Sequence, residues 1–211
     1  MQPQVDVQLG EILSIDGSVR AAVSEHRATI DRVLDQLERS SGSLAQAAGL
    51  LVRTLRGGNK VLVAGNGGSA AEAQHFAAEL VGRFLRDRSP YAAIALTTDT
   101  SILTAVANDY GYEHVFARQV FAWGQQDDLL VAFSTSGESE NLVRAAVAAR
   151  QLRMKVVALT GQRGGRLGRL ADVAVQVPCD DTPTTQEIHT MATHILCGIT
   201  ERELSGEEDG L

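Results

Sequence analysis

The chain has 211 residues, 44% of them hydrophobic, a net charge of −7 and a pI of about 5.2. That length suits one domain with an added helical segment, and the apolar share is ample for a core. The acidic balance excludes a nucleic-acid or anionic-membrane surface, which needs a basic patch to neutralise phosphates, and no apolar run approaches a membrane span.

Residues 1–17 are mixed in character and predict a segment that is poorly ordered or docked on a partner chain. "MQPQVDVQLGEILSIDG" lacks the basic stretch and apolar core of a signal peptide. From Ser18 to Leu37, Val19, Val23, Ile30, Val33, Leu34 and Leu37 recur at helical spacing. "SSGS" at 40–43 breaks the pattern; Leu44, Ala47, Ala48, Leu51 and Leu55 mark a second helix, which "RGGNK" at 56–60 ends. The two apolar stripes exceed what one α/β domain needs to cover its sheet. Residues 1–57 therefore either serve packing between copies of the chain, the reading that the family resemblance given below favours, or cover one sheet face.

Residues 58–211 are expected to form a single α/β unit. "KVLVAG" (60–65), "AAIAL" (92–96), "DLLVAF" (128–133), "KVVALT" (155–160) and "VAVQV" (173–177) are short, apolar and β-branched. Four of the five are continuous rather than alternating, the pattern of strands buried on both faces. Helical patterns at 70–86, 100–107 with 113–123, and 139–152 separate them, and a last helix spans 185–204. This alternation predicts a doubly wound, five-stranded parallel sheet flanked by helices, with an N-terminal helical extension. Cys179 and Cys197 match neither a paired-cysteine zinc motif nor a disulfide framework, so reduced thiols and a cytoplasmic location are expected.

In an open parallel sheet, ligands collect at the carboxyl ends of the strands. Two such ends stand out, "GNGGS" (65–69) and "STSGES" (134–139), each opening a helix. Glycines admit close backbone approach, and the free amides at a helix start attract a phosphate dianion. Ser134, Thr135, Ser136 and Ser139 add hydroxyls that donate to phosphate oxygens without adding charge. Ordinary strand–helix turns with N-capping serines fit the same residues. No Lys follows the first loop as a Walker motif requires, and no acidic residue closes the next strand as a dinucleotide site requires. A small phosphorylated ligand is thus favoured over ATP or NAD. His75 and Glu79 lie four apart on one predicted helix face, either as a solvated ion pair or as acid–base chemistry.

Taken together, "GNGGSAAEAQHFAAELVGRF", "AVANDYGY", "STSGES" and "TPTTQEIHTMATHIL" resemble the sugar isomerase (SIS) domain family, in its phosphoheptose isomerase branch, over about residues 20–204. The resemblance implies a ketose–aldose isomerase that interconverts sedoheptulose 7-phosphate and D-glycero-D-manno-heptose 7-phosphate, with Glu79 and His194 as base and acid. It implies one zinc ion per subunit on His75, Glu79, Gln186 and His194. Substrate contacts would come from Asn66, Gly67, Gly68, Ser69, Glu79, Arg83, Asn108, Asp109, Ser134, Thr135, Ser136, Ser139 and Gln186, in a homotetramer with sites between subunits. The alternatives are a non-catalytic regulator of the same family that binds the replication initiator, and a sensor or isomerase for a related phosphosugar.

Gln186 and His194 are eight residues apart, about 12 Å of helix rise. Either Gln186 precedes the regular helix, or different copies supply the two residues. His194, set among Met191, Ala192, Ile195 and Leu196, also fits a buried, hydrogen-bonded histidine. His189 is expected to be structural support, and His26 and His114 surface groups. Thr184 and Glu138 stand where the family often carries Arg and Asn; they imply either an altered substrate preference or positions that face solvent.

Overall fold

The computed structural model describes residues 3–205, with side chains from residue 14 onward. Residues up to Arg39 and residues from Ser40 onward form two separate compact units. The first is one helix, α1 (Pro3–Arg39), so residues 3–17 are helical, while residues 1–2 lie outside the described residues. Proline suits a first helical turn, where its missing N–H would be unpaired anyway. Arg20 Nε lies 2.8 Å from Asp16 Oδ2 one turn before it, a local support for the helix. Val19 and Val23, on the predicted stripe, are exposed.

The second unit contains α2 (Gly42–Arg56), β1 (Val61–Gly65), α3 (Gly68–Val81), β2 (Ala93–Ala95), α4 (Thr100–Tyr110), a 3₁₀ turn (Tyr112–His114) and α5 (Val115–Trp123). It continues through β3 (Leu129–Ser134), α6 (Glu140–Gln151), β4 (Lys155–Thr160), α7 (Gly165–Leu170), β5 (Val173–Gln176) and α8 (Thr182–Ser205). The five strands pair parallel throughout in the order β2-β1-β3-β4-β5. Alternate strand residues feed two cores. Val61, Val63, Val131 and Leu159 pack with α2, α3 and α8 on one face. Leu62, Ala64, Leu130, Ala132 and Ala158 pack with α5 and α6 on the other. Continuous apolar strands are the sequence signature of this arrangement, because both side-chain directions are buried.

Three differences from the sequence reading have physical causes. Leu44, Ala47, Ala48 and Leu51 lie in the first of these cores, so α2 covers a sheet face within the chain. β2 pairs on one side only and Ile94 is exposed, so it is an edge strand rather than one buried on both faces. α3 stops at Val81 instead of continuing to 86, because the chain turns aside at Gly82 and runs to β2 across α8. Among the described residues no helix is long and apolar enough to cross a membrane.

Asp128, 1% exposed, ties the sheet's lower edge together. It accepts from the backbone N–H groups of Lys60 (2.9 Å) and Gln125 (2.8 Å) and pairs with Lys60 Nζ at 2.6 Å. Removing one partner of a buried pair strands the other, so Asp128→Ala is expected to cost about 2–4 kcal/mol, read as a lower urea midpoint at unchanged m.

Candidate active site

The sheet order reverses between β1 and β3, and the crevice at that switch point lies where the two Gly/Ser loops emerge. Asn66 in the first loop and Asn141 in α6 exchange amide hydrogen bonds, both at 2.9 Å, and Tyr112 donates its hydroxyl proton to Asn66 Oδ1 at 3.1 Å. This reciprocal pair locks the loops side by side. Asn141 was not among the expected site residues; only the pairing of β1 with β3 brings it to Asn66. Asn141→Ala leaves the Asn66 amide without its partner. The expected result is a loss of about 1–3 kcal/mol in thermal unfolding, with a severalfold rise in KM for any substrate the loops bind.

The second loop is folded partly on itself. Ser134 Oγ accepts from the Gly137 N–H at 3.1 Å and lies 3.4 Å from Ser139 Oγ, and Ser136 Oγ accepts from the Glu138 N–H at 3.2 Å. Ser139 stands at the N-cap of α6 but makes no side-chain cap bond, so a capping role does not explain its hydroxyl. Thr135 and Ser136 line an open cavity of about 510 Å³ together with Arg163.

Glu138 lines the same cavity. Its carboxylate takes Arg166 Nε at 2.7 Å and the Arg166 N–H at 2.9 Å, and the hydrogen bonds from Arg166 hold its pKa below the usual carboxylate range. The added negative charge is therefore offset at its source. Thr184 is buried, 1% exposed, in the first turn of α8, so it does not face solvent.

The titratable groups gather two to three turns down α3. His75 Nε2 lies 2.9 Å from His194 Nε2 and 3.7 Å from Glu79 Oε1. Phe84 stacks on His194 with centroids 5.3 Å apart and an interplanar angle of 17°, while His75 meets His194 edge-on at 5.1 Å. The helical spacing of His75 and Glu79 puts both on the face that α8 approaches.

One nitrogen or oxygen from each of His75, Glu79 and His194 falls within 4.8 Å of the others. Two imidazoles and a carboxylate form a donor set that suits zinc, so these residues fit such an ion. His75 and His194 border a cavity of about 570 Å³ also lined by Gly68, Ser69, Glu72 and Gln186. Gln186 belongs to the regular part of α8, which removes the possibility that it precedes the helix. Its amide lies over Gly68, so close that a β-carbon there would sit 2.6 Å from Nε2. His189 is buried; burial pushes its pKa down to about 4, against weaker upward pulls from its contact with the Thr160 carbonyl and from Glu72. His114 is half-buried rather than a surface group, with Nε2 at 2.8 Å from Arg144 Nη1.

Glu79 is eleven residues beyond Gly68, about 16 Å along α3. The two cavities share no lining residue. Arg83 is exposed beyond α3. Asn108 and Asp109 are exposed at the end of α4, where Asn108 Nδ2 donates to Asp109 Oδ1 at 2.8 Å.

Residues 25–161 match the family model described as SIS domain. A phosphoheptose isomerase of Helicobacter pylori strain P12 is 47% identical over 191 residues, covering 90% of this chain and 98% of the relative. One from Rhodospirillum rubrum is 51% identical over 162 residues, covering 77% of this chain and 86% of the relative. Among solved structures, phosphoheptose isomerase of Neisseria gonorrhoeae superposes with a TM-score of 0.82 at 42% identity, covering 87% of this chain and 99% of the other.

Proposed function

This chain belongs to the SIS domain family, in its phosphoheptose isomerase branch, and on that premise we propose that it converts sedoheptulose 7-phosphate to D-glycero-D-manno-heptose 7-phosphate. That it is an isomerase follows from relatives of that name over nearly its whole length. The observation that carries the mechanism is the meeting of Glu79 on α3 with His75 and His194, the latter from α8.

An aldose–ketose exchange moves one hydrogen between adjacent carbons. In our reading Glu79 accepts the proton leaving C1 of the ketose, His194 delivers one to C2, and the hydroxyl proton passes from O1 to O2. Glu79 Oε1 faces His75, so the second oxygen is the one assigned to the carbon-bound proton. A zinc ion bound by His75, Glu79 and His194 would supply Lewis-acid polarisation of the sugar oxygens. Gln186, about 12 Å of helix rise from His194, is assigned first to the sugar, at the cavity mouth beside Gly68 and Ser69. As a fourth zinc donor it would serve an ion held by another copy.

The phosphate is assigned to Thr135, Ser136, Ser139 and the amides opening α6, with Ser134 bracing the loop; Asn66, Gly67 and Gly68 border the sugar. The 134–139 loop and the His75–His194 pair line cavities with no residue in common, which supports a homotetramer whose sites combine residues of two copies. Arg83, Asn108 and Asp109, exposed here, would reach a neighbouring copy's substrate. Two free thiols, Cys179 and Cys197, support a cytoplasmic enzyme. The placing of Glu79 and His194 atoms within 4.8 Å of one another favours the catalytic reading over the non-catalytic one.

The deciding experiment incubates pure protein with sedoheptulose 7-phosphate in deuterated water and follows C1–C2 exchange by NMR. Deuterium entering these carbons as the aldose forms is expected, and its absence sinks the assignment. Chelation is expected to remove this exchange and zinc to restore it; activity indifferent to both would leave the ion without a part in turnover.

A further inference from the structure

Residues 82–92 connect α3 to β2. This segment is tied down by one buried ion pair. Arg88 Nε lies 3.1 Å from Glu201 Oε1, and both side chains are 2% exposed. Glu201 also accepts from the N–H groups of Phe84 (2.8 Å), Leu85 (2.8 Å) and Arg86 (3.0 Å), so both carboxylate oxygens are engaged. Arg88 donates to the carbonyls of Glu79 (2.8 Å), Leu80 (2.8 Å), Gly82 (3.3 Å) and Ser89 (3.0 Å). Those of Glu79 and Leu80 are orphan acceptors of the last turn of α3, where a cation also complements the helix dipole.

We propose that the Arg88–Glu201 pair positions the reacting groups: it fixes α3, which carries Glu79, against α8, which carries His194, and seats Phe84 on the His194 ring. The inference rests on Glu79 and His194 being the base and the acid. Glu201 lies seven residues past His194, two turns down α8, about 10 Å away. One carboxylate thus reaches the strap that carries Phe84 and, through Arg88, the backbone carbonyl of Glu79 itself. His194 is held between Phe84 on one side and His75 on the other.

A buried ion pair is a poor stabiliser, because desolvation offsets most of its attraction. Burial here pushes Glu201 upward, yet the three backbone donors and Arg88 outweigh it and hold its pKa low. What such a pair supplies is directional: eight hydrogen bonds specify one register of two helices. Apolar side chains would fill the space without specifying it.

The test uses the full chain with Glu201→Gln, with Arg88→Met/Glu201→Leu together, and with Phe84→Leu and Phe84→Tyr. It reads thermal unfolding, kcat and KM for sedoheptulose 7-phosphate, and affinity for zinc alone by competition with a chromophoric chelator. The double substitution replaces the pair by apolar groups and is expected to stay folded. Its kcat and its zinc affinity are each expected to fall about tenfold to a hundredfold, as do those of Glu201→Gln, with KM held within about threefold because the phosphate loop is remote. Phe84→Leu, which leaves the ion pair in place, is expected to lower kcat about tenfold, and Phe84→Tyr to recover most of that loss. A folded double variant with unchanged kcat and zinc affinity overturns the inference. If that variant does not fold, Phe84→Leu with both quantities unchanged overturns it. Should the wild-type chain fail to isomerise the heptose, the reaction assignment falls, and zinc affinity alone decides the positioning role.

Discussion

Glu79→Gln is expected to lower kcat by about 10²–10⁴-fold, the usual contribution of a positioned general base. The substitution keeps the side chain's size and its place beside His75, from which Oε1 stands 3.7 Å. What it removes is the ability to accept a proton, together with the anionic donor that Glu79 would offer a zinc ion. The phosphate loop is untouched, so substrate binding measured by calorimetry is expected to persist within a few-fold, placing the loss in the chemical step rather than in ground-state binding. His194→Asn is expected to give a comparable fall, and the double variant little more than either alone, because an acid and a base that act as a unit are not additive. Near-normal turnover in Glu79→Gln would remove the base assignment outright. Near-normal turnover in His194→Asn would remove the acid assignment.

The second large effect is on the fold of the phosphate loop. Gly137 has φ of +66°, a backbone region that side chains with a β-carbon rarely adopt. A β-carbon there would lie 2.1 Å from the Gly164 carbonyl oxygen, a backbone atom that cannot swing away. Meanwhile its N–H is held by Ser134 Oγ at 3.1 Å and its carbonyl by the Leu167 N–H at 2.9 Å. Gly137→Ala must therefore separate the loop from the turn before α7. Strain and overpacking together are expected to cost roughly 3–5 kcal/mol, with loss of binding to inorganic phosphate. Unchanged thermal unfolding would mean that the two turns are not in contact in solution. A stable variant that still binds phosphate would put the anion site elsewhere.

These two predictions differ in how visible they were in the sequence. Glu79 was marked by its spacing from His75, and the Gly/Ser loop by its place after an apolar run. The importance of Gly137 within that loop depends on Gly164, a residue of another turn that no local pattern connects to it. The same contrast applies to the two departures from the family's usual residues. Glu138 puts a negative charge in the cavity that Thr135 and Ser136 line, and Arg166, from α7, pairs with it at 2.7 Å.

From the sequence alone came the five strands, the burial of β1, β3 and β4 on both faces, the two Gly/Ser loops and the helix face shared by His75 and Glu79. Each depends on a period of two or 3.6 residues, or on glycines next to an apolar run, and such signals are local. The contact of His194 with His75, the Asn66–Asn141 lock and the Arg88–Glu201 brace were decided by tertiary structure. Their partners are 119, 75 and 113 residues apart. They meet because the strand order places α3 beside α8 and β1 beside β3, and side-chain chemistry at one position carries no record of which distant residue the sheet will bring to it.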